Sequence, residues 1–400
     1  MTSPDDLLVR ILATPEGQAD PYPLYRELRE LAPVHRSELG GVVYVTRFEE
    51  CRRILRDQRA GKSLDPGRPL VPGGAPRRVE RGQEPMLFLN PPDHTRVRAL
   101  FSRAFTPRRI EALRSHVEAL TDQVLDELPR GVPVDLLETV GFPLPVRVIG
   151  ELVGVPPADR DGFRELVRAM AQTLEPVVSE EQVLAARDAS AQLRAYMAEL
   201  VAERRRHPQD DLLSALVEVR DGTDRLGEEE LIVNVILLYA AGFETTTNLI
   251  GNGVHALLRH PEQLDRLRAE PGRIGTAVEE ILRYEPPVHL DAREVHEPLE
   301  LGGLHLEEGT LVVTLLGAAN RDPAVNPDPD RFDVARRAVT HLSFASGIHH
   351  CLGAALARLE GQVVFERLLG RFPRIELADP EPRWRTTLTL RGLVELPVVL

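Results

Sequence analysis

The residue best placed to do chemistry is a cysteine set among glycines and histidines, in Phe344-Ala-Ser-Gly347-Ile-His349-His350-Cys351-Leu-Gly353. A thiolate is a nucleophile and a soft metal ligand. It is stabilised at a helix N-terminus, where free N–H groups and the positive dipole end are exposed. Leu352 to Leu369 reads as such a helix, Gly347 permits a tight turn before the cysteine, and Gly353 permits close approach of a flat ligand. Two plainer readings stand beside this one. Cys351 could be a small buried hydrophobe. It could also share zinc or copper with His349 and His350, although adjacent side chains converge poorly on one tetrahedral ion.

A second group sits in an apolar stretch, Leu237-Leu-Tyr-Ala-Ala241-Gly242-Phe243-Glu244-Thr245-Thr-Thr, where an acid stands beside a hydroxyl. Small Ala241 and Gly242 let a planar group approach the backbone. Consecutive threonines are poor helix formers and can bond back to carbonyls, bending the ladder. The plainer alternative is an exposed glutamate with threonine filler. Glu280 and Arg283 share a helix face just before Pro286-Pro287 ends the helix, a pairing that is common on surfaces. His94 and Arg98 also share a face, with Arg96 pointing elsewhere; a solvated basic face is the ordinary explanation.

Mostly helical elements must position these residues. Pro92 to Ala104, Pro107 to Leu128, Glu180 to Arg206, Glu228 to Arg259 and Thr276 to Tyr284 carry apolar residues at three- and four-residue spacing. Strand patterns appear at Gly41 to Thr46, Leu299 to Leu306 around Gly302-Gly303, Leu311 to Leu315 and Thr386 to Leu400. Gly61 to Pro85, rich in Gly, Pro and Arg, reads as a long surface loop. Asn320 to Thr340 reads as an irregular loop held by side-chain hydrogen bonds. No GxGxxG or P-loop spacing supports nucleotide cradling.

Composition narrows the function further. The 400 residues are 42% apolar, enough for a large core, and 49 Lys and Arg against 62 Asp and Glu give a net charge of -13. Such a chain is repelled by phosphate backbones, which argues against nucleic acid as a partner. The two cysteines, Cys51 and Cys351, cannot form a disulfide scaffold or a CxxC zinc site. Met1-Thr-Ser-Pro-Asp-Asp shows no basic and apolar leader. The longest apolar run, Leu231 to Gly242, is broken by Asn234 and falls short of the roughly 20 residues that span a bilayer. A cytoplasmic protein without a membrane anchor is expected.

In order and spacing, these segments resemble the cytochrome P450 family over nearly the whole chain. Phe344, Gly347, His349, Cys351 and Gly353 match its F-x-x-G-x-H/R-x-C-x-G loop, with Ala345 departing where glycine is frequent. The resemblance implies that Cys351 is the axial ligand of haem b (iron protoporphyrin IX), whose thiolate favours O–O cleavage. His349, His94, Arg98 and Arg293 would contact haem propionates. Ala241-Gly242-Phe243-Glu244-Thr245 matches A-G-x-D/E-T on the helix over the iron, so Glu244 and Thr245 would organise water and deliver protons. Phe243 replaces a frequent polar residue and implies a more apolar substrate contact. Glu280, Arg283 and Arg331 would form a buried structural cluster. The implied fold is one domain over residues 1–400, mainly α with a small β part, a triangular helical prism around haem.

The implied reaction inserts one oxygen atom of O2 into a bulky apolar molecule by hydroxylation or epoxidation. Candidate substrates are polyketides, macrolides, terpenoids, steroids and fatty acids. The chain has no room for a flavin or iron–sulfur domain, so NAD(P)H electrons would arrive through a separate ferredoxin and its reductase. Arg103, Arg108, Arg109 and Arg114 form a basic cluster within Ser102 to Arg114 that would dock an acidic ferredoxin. A monomer is expected. Pocket walls are expected from Gly61 to Leu89, Met170 to Val178, Leu237 to Glu244, Val288 to Leu290 and Leu388 to Leu390. A peroxide-driven peroxygenase, a catalytically silent haem sensor and a haem-free helical interaction protein are the rival readings. Glu244 and Thr245 disfavour the first, because peroxide already brings its protons.

Overall fold

The structure, a computed structural model, describes residues 2–63, 84–103, 105–218 and 226–400. Two helices, Glu180–Arg206 and Glu228–Arg259, match the spans that periodicity predicts. Ser179 caps the first: its hydroxyl accepts from the Gln182 N–H, and the Gln182 side chain accepts from the Ser179 N–H. Arg204, Arg205 and Arg206 then meet the negative end of the dipole. The second, hereafter the long helix, opens on Glu228, Glu229 and Glu230, and Glu230 accepts from the Gly227 N–H at 2.8 Å. Leu231, Ile232, Val235, Leu249 and Ile250 on this helix join Leu200, Ile281 and Phe365 in the main core.

Other boundaries shift for local reasons. The single helix read over Pro107 to Leu128 is two, Pro107–Ala112 and Arg114–Asp126. The helix bearing His94 is Asp93–Ser102, and Ala104 lies outside the described residues. Most of the glycine- and proline-rich stretch, residues 64–83, lies outside them too. A five-stranded sheet runs in the order Val34–Arg36, Val43–Val45, Leu311–Leu315, Leu290–Val295, Ala60–Gly61. Periodicity does not mark Leu290–Val295, whose burial pattern lacks alternation. It pairs antiparallel with Leu311–Leu315, Arg293 opposite Val312. Thr386 to Leu400 holds only one strand, Pro397–Val399, because backbone groups near 388–391 bond to other segments instead. No helix among the described residues is long and apolar enough to cross a membrane.

The helix Ile274–Tyr284 carries the brace of the Cys351 side. Glu280 and Arg283 are both fully buried and bidentate, at 2.7 and 2.8 Å. The third member is not Arg331, whose side chain is 59% exposed. Arg336 takes that place, its Nε 3.1 Å from Glu280 Oε2. Arg331 contributes its carbonyl instead, accepting from Arg283 and Arg336. The Asn320 to Thr340 loop is indeed held by side chains: Asn326 donates to the Thr340 carbonyl at 2.7 Å and accepts from its N–H. Asn320 does likewise for Ser343 and Leu342.

Candidate active site

The cysteine loop is shaped by two residues with positive φ, Ala345 at 55° and Gly347 at 74°. A Cβ on Gly347 would stand 2.3 Å from the Leu55 carbonyl oxygen, so glycine is required there. Ala345 adopts the glycine-like conformation despite its Cβ, at a cost of about 1 kcal/mol. The departure from the family pattern therefore leaves the loop path intact. The Cys351 N–H donates to the Phe344 carbonyl at 2.9 Å, and Arg358 lies over the Phe344 ring at 4.4 Å. The helix Ala354–Arg371 begins just beyond, with open space around Gly353.

Cys351 is exposed. Burial pushes its thiol up, against the lowering effect of the Gly353 N–H and of Arg98 and Arg358. Cys51 is buried, donates to the Val45 carbonyl, and is also pushed up by burial. Among the described residues no three His, Cys, Asp or Glu side chains are arranged to hold a bare metal ion.

Beside the loop, the His94 and His349 rings lie 4.3 Å apart. Both ring nitrogens of His94, Nε2 of His349 and Nη2 of Arg293 are buried without a hydrogen-bond partner. Orphaned buried polar groups are costly, and their convergence calls for a ligand. Burial first, then Arg98, Arg293 and Lys62, push His94 down to about 4. Burial, then Lys62 and Arg293, push His349 down to about 2. The field is cationic and suits paired carboxylates, so this chain's donors fit the two propionates of haem. Arg98 also donates to the His350 carbonyl, tying its helix to the loop.

Two members of this cluster escape sequence reading. Asp291 bonds both Arg293 Nη1 and Lys62 Nζ at 2.6 Å and is held well below the usual carboxylate range by both, against its burial. Asp291 lies two residues before Arg293 on one strand, hence on its face, and that spacing could have revealed it. Lys62 is the only lysine of the chain, a singularity that could have drawn attention to it, but it falls at the start of the stretch read as a surface loop.

On the long helix, Ala241 is exposed and Leu237, Ala240 and Thr245 half-buried, amid buried neighbours. This is the face left unpacked. Two expectations are corrected here, those for Gly242 and Phe243. Gly242, also half-buried, would point a Cβ at Ile149, 2.8 Å away, so its smallness serves helix packing. Phe243 is fully buried, edge-on to Phe142 and Tyr239, and makes no pocket wall. Glu244 is buried and salt-bridged to Arg385, a partner far along the chain that no local pattern announces. Thr245 Oγ1 donates to the Ala241 carbonyl at 2.7 Å, and Thr246 Oγ1 to that of Gly242 at 2.9 Å.

The family model described as Cytochrome P450 matches residues 152–395. The chain is 42% identical over 385 residues to the mycinamicin IV hydroxylase/epoxidase of Micromonospora griseorubida, covering 94% of each. It is 41% identical over 397 residues to the 6-deoxyerythronolide B hydroxylase of Saccharopolyspora erythraea, covering 95% of this chain and 96% of that one. Among solved structures, P450BioI in complex with hexadec-9Z-enoic acid ligated acyl carrier protein superposes with a TM-score of 0.89. Identity there is 39%, over 97% of this chain and 100% of that chain.

Proposed function

The chain belongs to the cytochrome P450 family, and we propose that Cys351 is the iron ligand of a single haem-enclosing domain spanning residues 1–400. It is a monooxygenase that uses haem, O2 and electrons from redox partners. The observation that supports the ligand most is the gathering of orphaned donors on His94, His349 and Arg293 beside the Cys351 loop. Bound haem with a thiolate ligand supplies O–O cleavage and insertion of one oxygen atom. His94, His349, Arg98 and Arg293 would hold the propionates, with Arg293 oriented by Asp291, which Lys62 also grips.

Thr245 and Glu244 handle protons. Because the Thr245 hydroxyl gives its proton to the Ala241 carbonyl, its lone pairs are left to accept from a water on the unpacked face. Arg385 holds the Glu244 carboxylate, which becomes free to relay a proton toward the unpacked face when the pair parts. In Thr245→Ala, haem and substrate binding persist while hydrogen peroxide release per NADPH oxidised rises at the expense of product. Positioned proton transfer contributes about 10²–10⁴-fold, and buried Thr246, facing elsewhere, will not rescue it. Unchanged peroxide yield in this variant contradicts the assignment.

The electron donor we propose is an acidic ferredoxin, reduced by an NAD(P)H-dependent reductase. Arg108 and Arg109 are exposed on Pro107–Ala112, which packs against the helix following Cys351. Arg114 is engaged with Glu111 and contributes less. Reversing Arg108 and Arg109 to Glu slows reduction by ferredoxin and flattens its salt dependence, with azole binding unchanged. Equal rates across ionic strengths in the native and reversed proteins would leave the patch without a docking role.

For substrate we propose a bulky apolar polyketide of macrolide type, on the strength of the two hydroxylases above. Screening such compounds for a Soret shift, then for product containing one atom from labelled O2, tests this. Product that forms only with added peroxide supports a peroxygenase, and haem binding without any product supports a sensor.

A further inference from the structure

The link between the Phe163–Gln172 and Glu180–Arg206 helices contains a buried carboxylate that the proposed chemistry does not use. Glu175 accepts from three consecutive backbone N–H groups: Leu388 at 2.8 Å, Thr389 at 3.0 and 3.1 Å, and Leu390 at 3.2 Å. The Thr389 hydroxyl returns a bond to the Leu174 carbonyl at 2.9 Å. On its other side, the same turn is tied to the chain before the Arg293 strand. Its Thr389 carbonyl accepts from the His289 N–H at 3.0 Å, and Leu390 bridges Val288. Upstream, Arg385 pins the segment to Glu244 on the long helix. The turn therefore runs between the acid of the long helix and the strand that carries Arg293.

Consecutive N–H groups converging on one anion form a nest, and a carboxylate filling it fixes the backbone at all three residues. No salt bridge reaches Glu175 among the described residues; burial pushes its carboxyl up, and the Thr389, Leu388 and Leu390 N–H groups with the Thr389 side chain work against that. A surface brace would not need a buried, cation-free carboxylate to do this. We infer that Glu175 is a positioning residue, which locks the Leu388–Leu390 turn so that Leu390 and Val288 present one fixed apolar wall to the substrate. The inference rests on the proposed haem-enclosing domain and on the expectation from the sequence that Val288 to Leu290 and Leu388 to Leu390 wall its pocket.

Two azoles separate the possibilities in the haem-loaded, full-length protein. Imidazole needs only the iron, whereas econazole also needs the apolar walls; both are followed by the Soret shift. In Glu175→Gln the amide turns its NH2 toward backbone donors and loses the charge. Econazole Kd should rise about tenfold, chiefly through faster dissociation, while imidazole Kd and haem content stay as in the native protein. Glu175→Asp, which keeps the charge on a shorter arm, should fall between. Unchanged econazole binding in Glu175→Gln overturns the inference. So does parallel loss of haem and of both affinities in the two variants, which would make Glu175 a structural brace only. A native protein that takes imidazole but refuses econazole also overturns it, since no apolar wall would then stand at the turn. Failure of imidazole to shift the native Soret band overturns the haem reading itself.

Discussion

Glu280→Ala should lose about 3–5 kcal/mol of stability, the cost of stranding buried charge after one partner is removed. Glu280 accepts from Arg283 at both oxygens, from Arg336, and from the Asp333 N–H at 2.9 Å. Removing it leaves Arg283, fully buried, with backbone carbonyls but without its carboxylate, and beside a second guanidinium, Arg336. It also frees the 320–340 loop, because Arg336 holds the Pro327, Asp328 and Arg331 carbonyls while anchored on Glu280. Denaturant midpoints of the haem-loaded protein provide the measure, with loss of the Soret band following unfolding. Arg336→Ala should be clearly destabilising. Arg331→Ala, at an exposed side chain, should stay within about 0.5 kcal/mol. Equal damage from Arg331→Ala and Arg336→Ala would mean that the brace has been assigned to the wrong arginine.

That pair of arginines also shows where sequence reading ends. Glu280 and Arg283 are three apart on a helix, so their contact follows from helical geometry alone. Arg331 and Arg336 lie in a loop without periodicity, and only the loop path decides which guanidinium turns inward. The long helices were legible because capping residues and apolar spacing agree along their length, as at Ser179 and Glu230. Leu290–Val295 escaped because it is covered on both faces and lacks alternation.

The candidate site divides in the same way. Cys351, His349, His94 and Arg98 sit in short local patterns, and the structure brings His349 and His94 into ring contact. Arg385 and Glu175 act through partners 141 and 213 to 215 residues away, at distances in sequence that no local spacing encodes. Gly242 and Phe243 were misread for a different reason. Successive helical residues point about 100° apart, so neighbours in a motif need not share its face. Ala241 and Thr245, four apart, do share it, and their hydrogen bond shows this.

The central claim is that the Cys351 sulfur holds haem iron, and the chain offers an internal control in its only other cysteine. Cys351 is exposed, in the loop that carries His349 of the orphaned-donor cluster, whereas Cys51 is fully buried and bonded to the Val45 carbonyl at 3.3 Å. Carbon monoxide added to the reduced protein reports the ligand opposite it, because a thiolate donates electron density through the iron. The native protein and Cys51→Ala should both show the red-shifted Soret band of a thiolate-ligated carbonyl complex. Cys351→Ala should lose that band entirely and, with it, oxygen insertion into any substrate. A Cys351→Ala protein that keeps the red-shifted band, or a native protein without it, would contradict the account.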